Sequence, residues 1–395
     1  MTAIAARGLA ILGGGRWARV LAGLAETLLP ADRPLLLCSP ANPALWEGWN
    51  AQPARIGRAV RIVDYPTLLA DPEVSHVVIA RRAADHAAST LACLSAGKAV
   101  LVEKPCCLTE AECRAVLGAA GGRLCRTGHV LLFARNLSRF ADACRAVGEP
   151  ARIGIDWSDP VSEVRHGAAK RHDPGLNVVQ DVAPHLWSLL HLLCPGAAPV
   201  LAGVEVAGGG WSVRLRLELG VAEVFATLRR GHSERVRAIR LAGPGLDATM
   251  DFTTEPGQAV LNGRPVDVAT GFSGPLGLQL VDFLRADRPD PADAPFTVQA
   301  GAAAIRLAIA AMPAVRRAQV SALAAGCLPR ASAEVRRDAA RATEEIRAAG
   351  RDALRGTVPA PDRSVSAPPE WIAAGLAEAD WRALPSPAQA ALRAG

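Results

Sequence analysis

Lysine and tyrosine are scarce in this chain, and its charge is nearly balanced. Only three of its 44 lysine and arginine residues are lysines (Lys98, Lys104 and Lys170), and Tyr65 is its single tyrosine. No lysine lies four residues after Tyr65, which excludes a Tyr-x-x-x-Lys reductase mechanism. The net charge of +6 over 395 residues comes with no basic block interleaved with aromatic residues. The composition therefore argues against a nucleic-acid-binding protein.

Paired metal-binding cysteines and a signal peptide are also missing. The nine cysteines form no two CxxC pairs at zinc spacing, and an odd count argues against a disulfide framework. The first residues run into a glycine turn without a signal-peptide core. The apolar run near 300–315 contains Arg306 and is expected to be too short to cross a bilayer. We therefore expect a cytoplasmic protein with free thiols and no metal site.

Short apolar runs alternate with helical patterns over the first 130 residues. The runs RGLAIL, RIVDY, HVVIA and AVLVEKP are each followed by a segment of helical periodicity, PLLLCS (34–39) is a further apolar run, and RLCRTGHVLLF (123–133) closes the series. Such alternation is typical of a parallel, doubly wound sheet. We assign residues 1–130 to this first domain.

The pattern of apolar and polar residues changes after Gly148. A strand (151–157) and a helix (178–193) precede a segment whose residues 213–219 alternate between apolar and charged, which indicates antiparallel strands with one buried face. Asn262-Gly263 predicts a tight hairpin turn. Residues 131–318 are therefore expected to form an α/β domain with an open, mostly antiparallel sheet. Residues 319–395 are expected to form a C-terminal helical extension with a Pro/Ser-rich linker.

The first glycine turn has the spacing of a dinucleotide-binding fingerprint. It reads Gly13-Gly14-Gly15-Arg16-Trp17-Ala18, directly after the first predicted strand. Gly13 would permit the tight turn, Gly15 would let a pyrophosphate approach the backbone, and the helix that follows would offer free N–H groups. We therefore predict that this turn binds a dinucleotide, with Arg16 and Trp17 beside it.

The second predicted strand ends without the acidic residue that often holds the adenosine ribose. It ends in Leu37-Cys38-Ser39, and the next carboxylate is Glu47. The loss of the acid removes a repulsion against a 2′-phosphate, and Arg16 would supply a matching cation. The sequence therefore favours NADP(H) over NAD(H), unless Ser39 merely ends the strand.

Two later segments complete a family pattern. Glu103-Lys104-Pro105 follows a strand of the first domain, and residues 175–185, GLNVVQDVAPH, end in Asp-x-x-x-His. Together with the glycine turn, in this order, they resemble the Gfo/Idh/MocA family of NAD(P)-dependent oxidoreductases over about residues 1–318. The resemblance implies an N-terminal Rossmann domain and a second domain that binds substrate and other subunits.

The resemblance assigns catalytic roles to Lys104, Asp181 and His185. It places the lysine between nicotinamide and substrate, and the other two residues opposite it. Asp181 and His185 are four residues apart and would share one helical face. His185 would exchange a proton with a substrate oxygen or nitrogen, while Lys104 would hold that atom and relay or stabilise charge.

The remaining site residues include departures from the family pattern. Arg81 and Arg82 replace the usual Thr-Pro or Asn-Pro pair, His86 fits the pattern, and Ser188 stands where an aspartate is usual. We expect the cofactor to be bound by Gly13, Gly15, Arg16, Trp17, Ser39, Arg81, His86, Glu103, Lys104 and Pro105. A basic loop holds Lys170, Arg171 and His172, which are candidates for binding an anionic substrate or for a solvated loop.

The expected function is hydride transfer between nicotinamide and a C–OH/C=O or C–N/C=N centre. The resemblance suggests a sugar, cyclitol or imine-type substrate and a homodimer or homotetramer joined through the sheet of the second domain. Two alternatives remain open: a cofactor-binding regulator without turnover, and an NAD-dependent glycosidase on the same fold. Membrane and nucleic-acid partners are not expected.

Overall fold

The first part of the chain forms a six-stranded parallel sheet. A computed structural model of the chain describes residues 3–50, 60–160, 163–165, 168–169, 173, 176–207, 210–269 and 274–324. The strands are β1 (Leu9–Leu12), β2 (Leu35–Cys38), β3 (Val60–Ile62), β4 (His76–Ile79), β5 (Ala99–Val102) and β6 (Cys125–Thr127), in the order β3-β2-β1-β4-β5-β6. The order reverses between β1 and β4, and ligands of doubly wound sheets bind at such a switch point.

Helices cover both faces of this sheet, so its central strands are buried throughout. They are α1 (Arg16–Leu28), α2 (Ala44–Asn50), α3 (Tyr65–Ala70), α4 (His86–Ser95) and α5 (Glu110–Ala120). The buried residues of α1 pack in one apolar cluster and those of α3, α4 and α5 in another, on opposite sides of the strands. The predicted parallel, doubly wound domain is confirmed.

The second part is an eight-stranded mixed sheet that is mostly antiparallel, as predicted. It contains β7 (Arg152–Pro160), β10 (Val200–Ala207), β11 (Ser212–Leu219), β12 (Ala222–His232), β13 (Val236–Gly243), β14 (Leu246–Asp251), β15 (Gln258–Leu261) and β16 (Arg264–Val266), in the order β10-β11-β12-β7-β13-β14-β15-β16. Only β7 and β12 pair in parallel among these strands. A short hairpin, β8 (Val164–Arg165) with β9 (Ala168–Ala169), stands apart. Asn262 and Gly263 both have positive φ, which confirms the predicted tight turn.

Three helices pack on one face of this sheet, and no helix of the described residues packs on the other face, which we call the open face. The three helices are α6 (Arg135–Arg145), α7 (Val178–Leu193) and α9 (Val298–Ala324), and α7 has the predicted bounds. α7 begins with a capping box, in which the Asn177 side chain accepts from the backbone N–H groups of Val179 and Gln180. This cap fixes where the helix starts and therefore which residues face the first domain.

The last described helices tie the two sheets together. Leu280, Phe283 and Leu284 of α8 (Pro275–Arg285) are buried with α1 in the core of the first domain. Arg126 of β6 forms ion pairs with Asp282 at 2.8 Å and with Asp290 at 2.7 Å. Chain segments from beyond the predicted boundary at residue 130 therefore complete the packing of the first domain.

Within the segment 123–133, the strand is Cys125–Thr127, and residues Val130–Phe133 form a 3-10 turn after Gly128 makes the last bond to Val102. One sequence expectation needs correction. The apolar run near 300–315 belongs to a helix of 27 residues, so its length does not exclude a bilayer span. The stretch Val298–Arg316 is long and apolar enough to cross a membrane, but more than half of it is buried inside the molecule.

Helix α9 also continues past the predicted boundary at residue 318. The helix predicted from Ser332 and the Pro/Ser-rich linker lie outside the described residues.

Candidate active site

The glycine turn between β1 and α1 has the shape that its sequence predicts. Gly13 has a φ of 145°, and a Cβ there would overlap the carbonyl oxygen of Ala80 on the neighbouring strand. The indole N–H of Trp46 donates to the carbonyl oxygen of Gly13 at 2.8 Å and holds the turn in place. A Cβ on Gly15, the N-cap of α1, would meet no protein atom within 4 Å. The turn is thus rigid at Gly13 and open at Gly15, as a pyrophosphate site requires.

Ser39 lies in a small cavity of about 460 Å³ at the carboxyl ends of β2 and β3. Asp64 contributes a carboxylate to this cavity and accepts the backbone N–H of Thr67 as the N-cap of α3. Arg16 does not line this cavity; it lines a larger one, beside Lys104. The predicted pairing of Arg16 with a phosphate near Ser39 stays a prediction. The lining residues are Ser39, Pro40, Pro43, Ile62, Val63, Asp64, Tyr65 and Pro66.

The larger cavity, of about 640 Å³, lies between the two domains and contains the predicted catalytic residues. Lys104, two residues after β5, directs its Nζ to Asp181 of α7, at 2.6 Å from Oδ1 and 3.0 Å from the backbone oxygen. The other carboxylate oxygen of Asp181 lies 3.1 Å from the guanidinium of Arg230. Side chains that are 77 residues apart in sequence thus meet in one cavity wall.

His185 lies one helical turn after Asp181 and also lines the cavity. Burial, together with the nearby Lys104 charge, holds the pKa of His185 well below its usual value, although Asp181 opposes that shift. The imidazole is therefore neutral near pH 7 and able to accept a proton. Lys104, Asp181 and His185 are the three residues that the sequence assigned to catalysis, and the fold brings them together.

The indole of Trp157, on β7, stacks against the imidazole of His185. The two rings stack with centroids 4.9 Å apart and planes 15° apart. Against the indole lies the guanidinium of Arg237, 3.7 Å from the ring centroid, and Arg237 is bonded to the buried carboxylate of Asp159. Burial lowers the pKa of Arg237 to about 10 despite the charge of Asp159. Stacking of this kind fixes the orientation of a ring more firmly than apolar contact alone.

Glu103 and Trp17 join the glycine turn to the Lys104 segment. The Glu103 carboxyl group is buried, and burial raises its pKa, while its hydrogen bond with Trp17 and the charge of Lys104 act in the opposite direction. Gly128 lies directly against this carboxyl group, since a Cβ there would approach its oxygens to 3.0 Å. The side chains of Glu103 and Trp17 both line the larger cavity.

His86 and Arg81 make polar contacts that hold the loops beside the Lys104 segment in place. Nδ1 of His86 lies 2.7 Å from the carbonyl oxygen of Pro105, and Nε2 lies 3.1 Å from that of Arg81. The guanidinium of Arg81 donates to the Ser89 hydroxyl at 2.9 Å. Arg81 and His86 line the larger cavity, but their polar atoms hold the protein's own loops.

Other predicted residues are placed as follows. Lys170, Arg171 and His172 lie outside the described residues. Ser188, which replaces the family aspartate, is buried, donates to the Pro184 carbonyl oxygen and lies 3.0 Å from Nδ1 of His129. Within the part of the chain that the structure describes, no group of three or more His, Cys, Asp or Glu side chains is arranged to hold a metal ion.

The sequence analysis missed Trp157, Asp159, Arg230 and Arg237. A signal was present, because β7, β12 and β13 alternate and each places a charged residue at an inward position. A charged residue at an inward position of a buried sheet face needs a partner there. In this chain the partners of Arg230 and Arg237 are carboxylates at the cavity.

Part of the first domain is similar to known oxidoreductases. Residues 48–128 match the model of the Gfo/Idh/MocA family, described as an oxidoreductase family with an NAD-binding Rossmann fold. A stretch of 110 residues is 39% identical to the trans-1,2-dihydrobenzene-1,2-diol dehydrogenase of Mus musculus. That match covers 28% of this chain and only 32% of the mouse enzyme.

Solved structures extend the likeness to both domains. A putative oxidoreductase from Magnetospirillum magnetotacticum MS-1 has a TM-score of 0.58 and 25% identity, over 76% of this chain and 97% of its own. A 3-ketoreductase from Actinomadura kijaniata, solved with TDP-benzene and NADP, shares the fold with a TM-score of 0.60 and 15% identity, over 76% and 95% of the two chains. The chain is therefore similar to the Gfo/Idh/MocA oxidoreductase family over residues 48–128, and over about three quarters of its length it shares the fold of these solved oxidoreductases.

Proposed function

We propose that this protein is an NAD(P)-dependent oxidoreductase that moves a hydride between nicotinamide and a C–OH/C=O or C–N/C=N centre of a small metabolite. The observation that carries the proposal is the contact between Lys104 and Asp181, which joins the two domains inside a cavity of about 640 Å³. The same cavity reaches Arg16 and Trp17, which follow the glycine turn directly. Cofactor-binding and proton-transferring groups thus share one space.

The chain's own residues supply binding and proton transfer. The glycine turn and the N-terminal N–H groups of α1 would hold the pyrophosphate, and Glu103 with Trp17 would close the wall beside it. Lys104 would hold the reacting oxygen or nitrogen of the substrate and stabilise its charge, and the neutral His185 would take up or return the proton. When bound, the nicotinamide would supply or accept the hydride. Acid–base help of this kind is typically worth about 10²–10⁴ in rate.

The substrate class is proposed from the fold relatives and from the cavity walls. The related 3-ketoreductase and the mouse dehydrogenase both act at carbon–oxygen centres by name. The cavity is lined by several polar side chains together with the largely buried Trp157 and Phe252, a lining suited to a polyhydroxylated ring. A sugar or cyclitol is therefore our first choice of substrate, and an imine-type metabolite the second. Lys170, Arg171 and His172 remain candidates for contacting an anionic group.

The preference for NADP(H) remains a prediction. It rests on the absence of a carboxylate at Ser39, whereas the cation that was expected to support it, Arg16, lies in the other cavity. Both forms of the cofactor are therefore included in the test.

The test is a fluorescence titration of the purified chain with NADPH and NADH, followed by a substrate screen. Lys104→Ala should still bind the reduced cofactor through the glycine turn but lose turnover by at least about 10²-fold. Lys104→Arg, which keeps the charge but does not readily lose a proton, should stay inactive. Failure to bind either cofactor in reduced or oxidised form would refute the proposal. Cofactor that is recycled during sugar release would instead favour a glycosidase, and binding without turnover of any substrate would favour a regulator.

We also propose that the open face of the eight-stranded sheet joins subunits, and that the protein works in the cytoplasm. This face exposes Phe225 with Arg152 stacked on it, and it carries Arg240 paired with Asp156. Light scattering of the wild type and of Phe225→Asp would test the interface. A wild type that is monomeric at micromolar concentration would refute it.

A further inference from the structure

Arg230 is a buried charged residue that contacts the candidate catalytic helix. It lies on the inward face of β12, and only 4% of its side chain is exposed. One guanidinium nitrogen donates to the carbonyl oxygen of Leu176 at 2.7 Å, and another lies 3.1 Å from Oδ2 of Asp181. Leu176 immediately precedes the N-cap of α7. Arg230 therefore contacts the start of that helix at two points, just before the N-cap and at Asp181.

Asp181 is held on its other side by Lys104. Its Oδ1 atom lies 2.6 Å from the Lys104 ammonium, and its Oδ2 atom faces the guanidinium. A carboxylate with a cation at each oxygen is strongly favoured in its ionised form. Such a group is a poor proton donor or acceptor, because protonation would sacrifice one of the two charged hydrogen bonds.

We propose that Arg230 is a positioning residue that fixes Asp181 as the permanent counter-ion of Lys104, so that protons are exchanged by Lys104 and His185 alone. The assignment of proton exchange rests on the proposed function. The positional part rests only on the contacts of Arg230, Asp181 and Lys104. Two consequences follow: the ammonium of Lys104 is held at a set place in the cavity, and that place depends on a residue that does not line the cavity.

The geometry explains why the residue is an arginine. The planar guanidinium reaches a backbone oxygen and a carboxylate at the same time, whereas the single ammonium of a lysine would be a point charge. The adjacent Arg229 points to the other side of the strand and contacts only the hydroxyl of Ser158, at 3.2 Å, among the described hydrogen bonds. Arg229 is therefore a matched control on the same strand.

A purely structural role for Arg230 makes a different prediction. If Arg230 only fills a buried position, its removal would lower stability and leave the Lys104–Asp181 contact as it is. If Arg230 positions Asp181, its removal frees the carboxylate to rotate and weakens the hold on Lys104. The chemical reactivity of the Lys104 amine separates the two cases, because an ammonium held in an ion pair reacts slowly with amine reagents.

The scarcity of lysine makes this measurement simple. Brief reductive methylation at pH 7.5, followed by peptide mass spectrometry, reports on Lys104 while Lys98 serves as an internal folding standard. Lys98 is buried and donates to the carbonyl oxygens of Asp71 and Val74, so its labelling rises only if the first domain opens. The variants are Arg230→Gln, Arg230→Lys, Arg229→Gln and, as the reference for a lost ion pair, Asp181→Asn.

We expect Asp181→Asn to raise labelling of Lys104 about tenfold, the effect of removing one opposite charge. Arg230→Gln should raise it by a smaller factor, because loss of the fixed position of Asp181 outweighs the loss of one nearby positive charge, and Arg230→Lys by less still, with Arg229→Gln unchanged. Wild-type labelling in a folded Arg230→Gln protein, alongside raised labelling in Asp181→Asn, would overturn the proposal. If Arg230→Gln does not fold, Arg230→Lys decides in the same way, with no increase counting against the proposal. The cofactor titration is independent, so a chain that binds no nicotinamide cofactor refutes the proposed function without deciding this result.

Discussion

The imidazole of His185 and the indole of Trp157 stack nearly in parallel, with centroids 4.9 Å apart. The guanidinium of Arg237 also lies against this indole, 3.7 Å from the ring centroid, so an imidazole, an indole and a cation form one group at the cavity wall. Burial is the largest cause that lowers the pKa of His185, the charge of Lys104 is the next, and the charge of Arg237 adds a smaller part. This group thus orients His185 and contributes to keeping it neutral.

Replacement of Trp157 should therefore affect His185 as well as stability. Trp157→Ala opens a space beside the imidazole and should cost about 3–5 kcal/mol of unfolding free energy, whereas Trp157→Phe keeps part of the stack and should cost less. Admission of water should raise the pKa of His185 toward its ordinary value. Histidine-selective NMR titration of the two variants and the wild type checks this. An unchanged His185 titration in a folded Trp157→Ala protein would show that the stack does not control the imidazole.

The stability of the whole chain should fall between pH 6.5 and pH 4. Burial lowers the pKa of His129 to about 4, and the pKa values of His76, His86 and His185 are also lowered, each first by burial. The unfolded chain then binds protons that the folded chain excludes. The free energy of unfolding is therefore highest above about pH 6.5 and declines as the pH falls. For His129 alone the loss between pH 7.5 and pH 4.5 amounts to about 2.5 kcal/mol.

His129→Gln should reduce that loss by about the same amount. Urea denaturation at pH 7.5, 6.0 and 4.5 measures the slope for wild type and variant, with pH 7.5–9 as a range in which the histidines bind no protons in either state. If both proteins lose stability equally on acidification, the burial of His129 does not govern the slope.

The sequence predicted both sheets because their signals are local. Alternation of period two in 213–219 and the glycine turn after Leu12 depend on neighbouring residues, and both elements are present. The segment after Gly128 is a different case, because its apolar residues form a 3-10 turn and do not continue the ladder. Periodicity alone does not separate these two fates of an apolar run.

The residues of the candidate site also fall into two groups, those that local motifs predict and those that they do not. Lys104, Asp181 and His185 were predicted from ordered motifs, but their supporting residues Arg230 and Trp157 come from other strands and carry no motif. What places them is the register between β12 and β7, in which Leu228 is opposite Trp157 and Arg230 is opposite Asp159. Register of this kind follows from the packing of whole strands. An inward arginine in an alternating strand is the one local sign that a charged partner is near.

The choice between NAD(H) and NADP(H) should depend on Asp64 and not on Arg16. Asp64 places a carboxylate in the cavity of Ser39, and no lysine or arginine is among the described residues that line it. Asp64→Asn keeps the helix cap and removes the charge, so it should raise relative affinity for NADPH over NADH roughly fivefold. Arg16→Ala should leave the ratio within about twofold of wild type, since Arg16 lines the other cavity. Nicotinamide fluorescence titrations of the three proteins decide the matter, and a ratio that falls only in Arg16→Ala would restore the interpretation from the sequence.

The two ends of the glycine turn offer a matched pair of substitutions. Gly13→Ala places a methyl group against the carbonyl oxygen of Ala80 at a φ of 145°, so it should destabilise the fold by several kcal/mol. Gly15→Ala meets no protein atom within 4 Å and keeps an ordinary φ of −72°, so the melting temperature should stay within about 2 °C of the wild type. Its methyl group would nevertheless stand where a pyrophosphate approaches the backbone, and cofactor affinity should fall by at least tenfold, or about 1.4 kcal/mol. Thermal melts and cofactor titrations on both variants test this division. Unchanged cofactor binding in Gly15→Ala would mean that the open side of the turn is not where the phosphates bind.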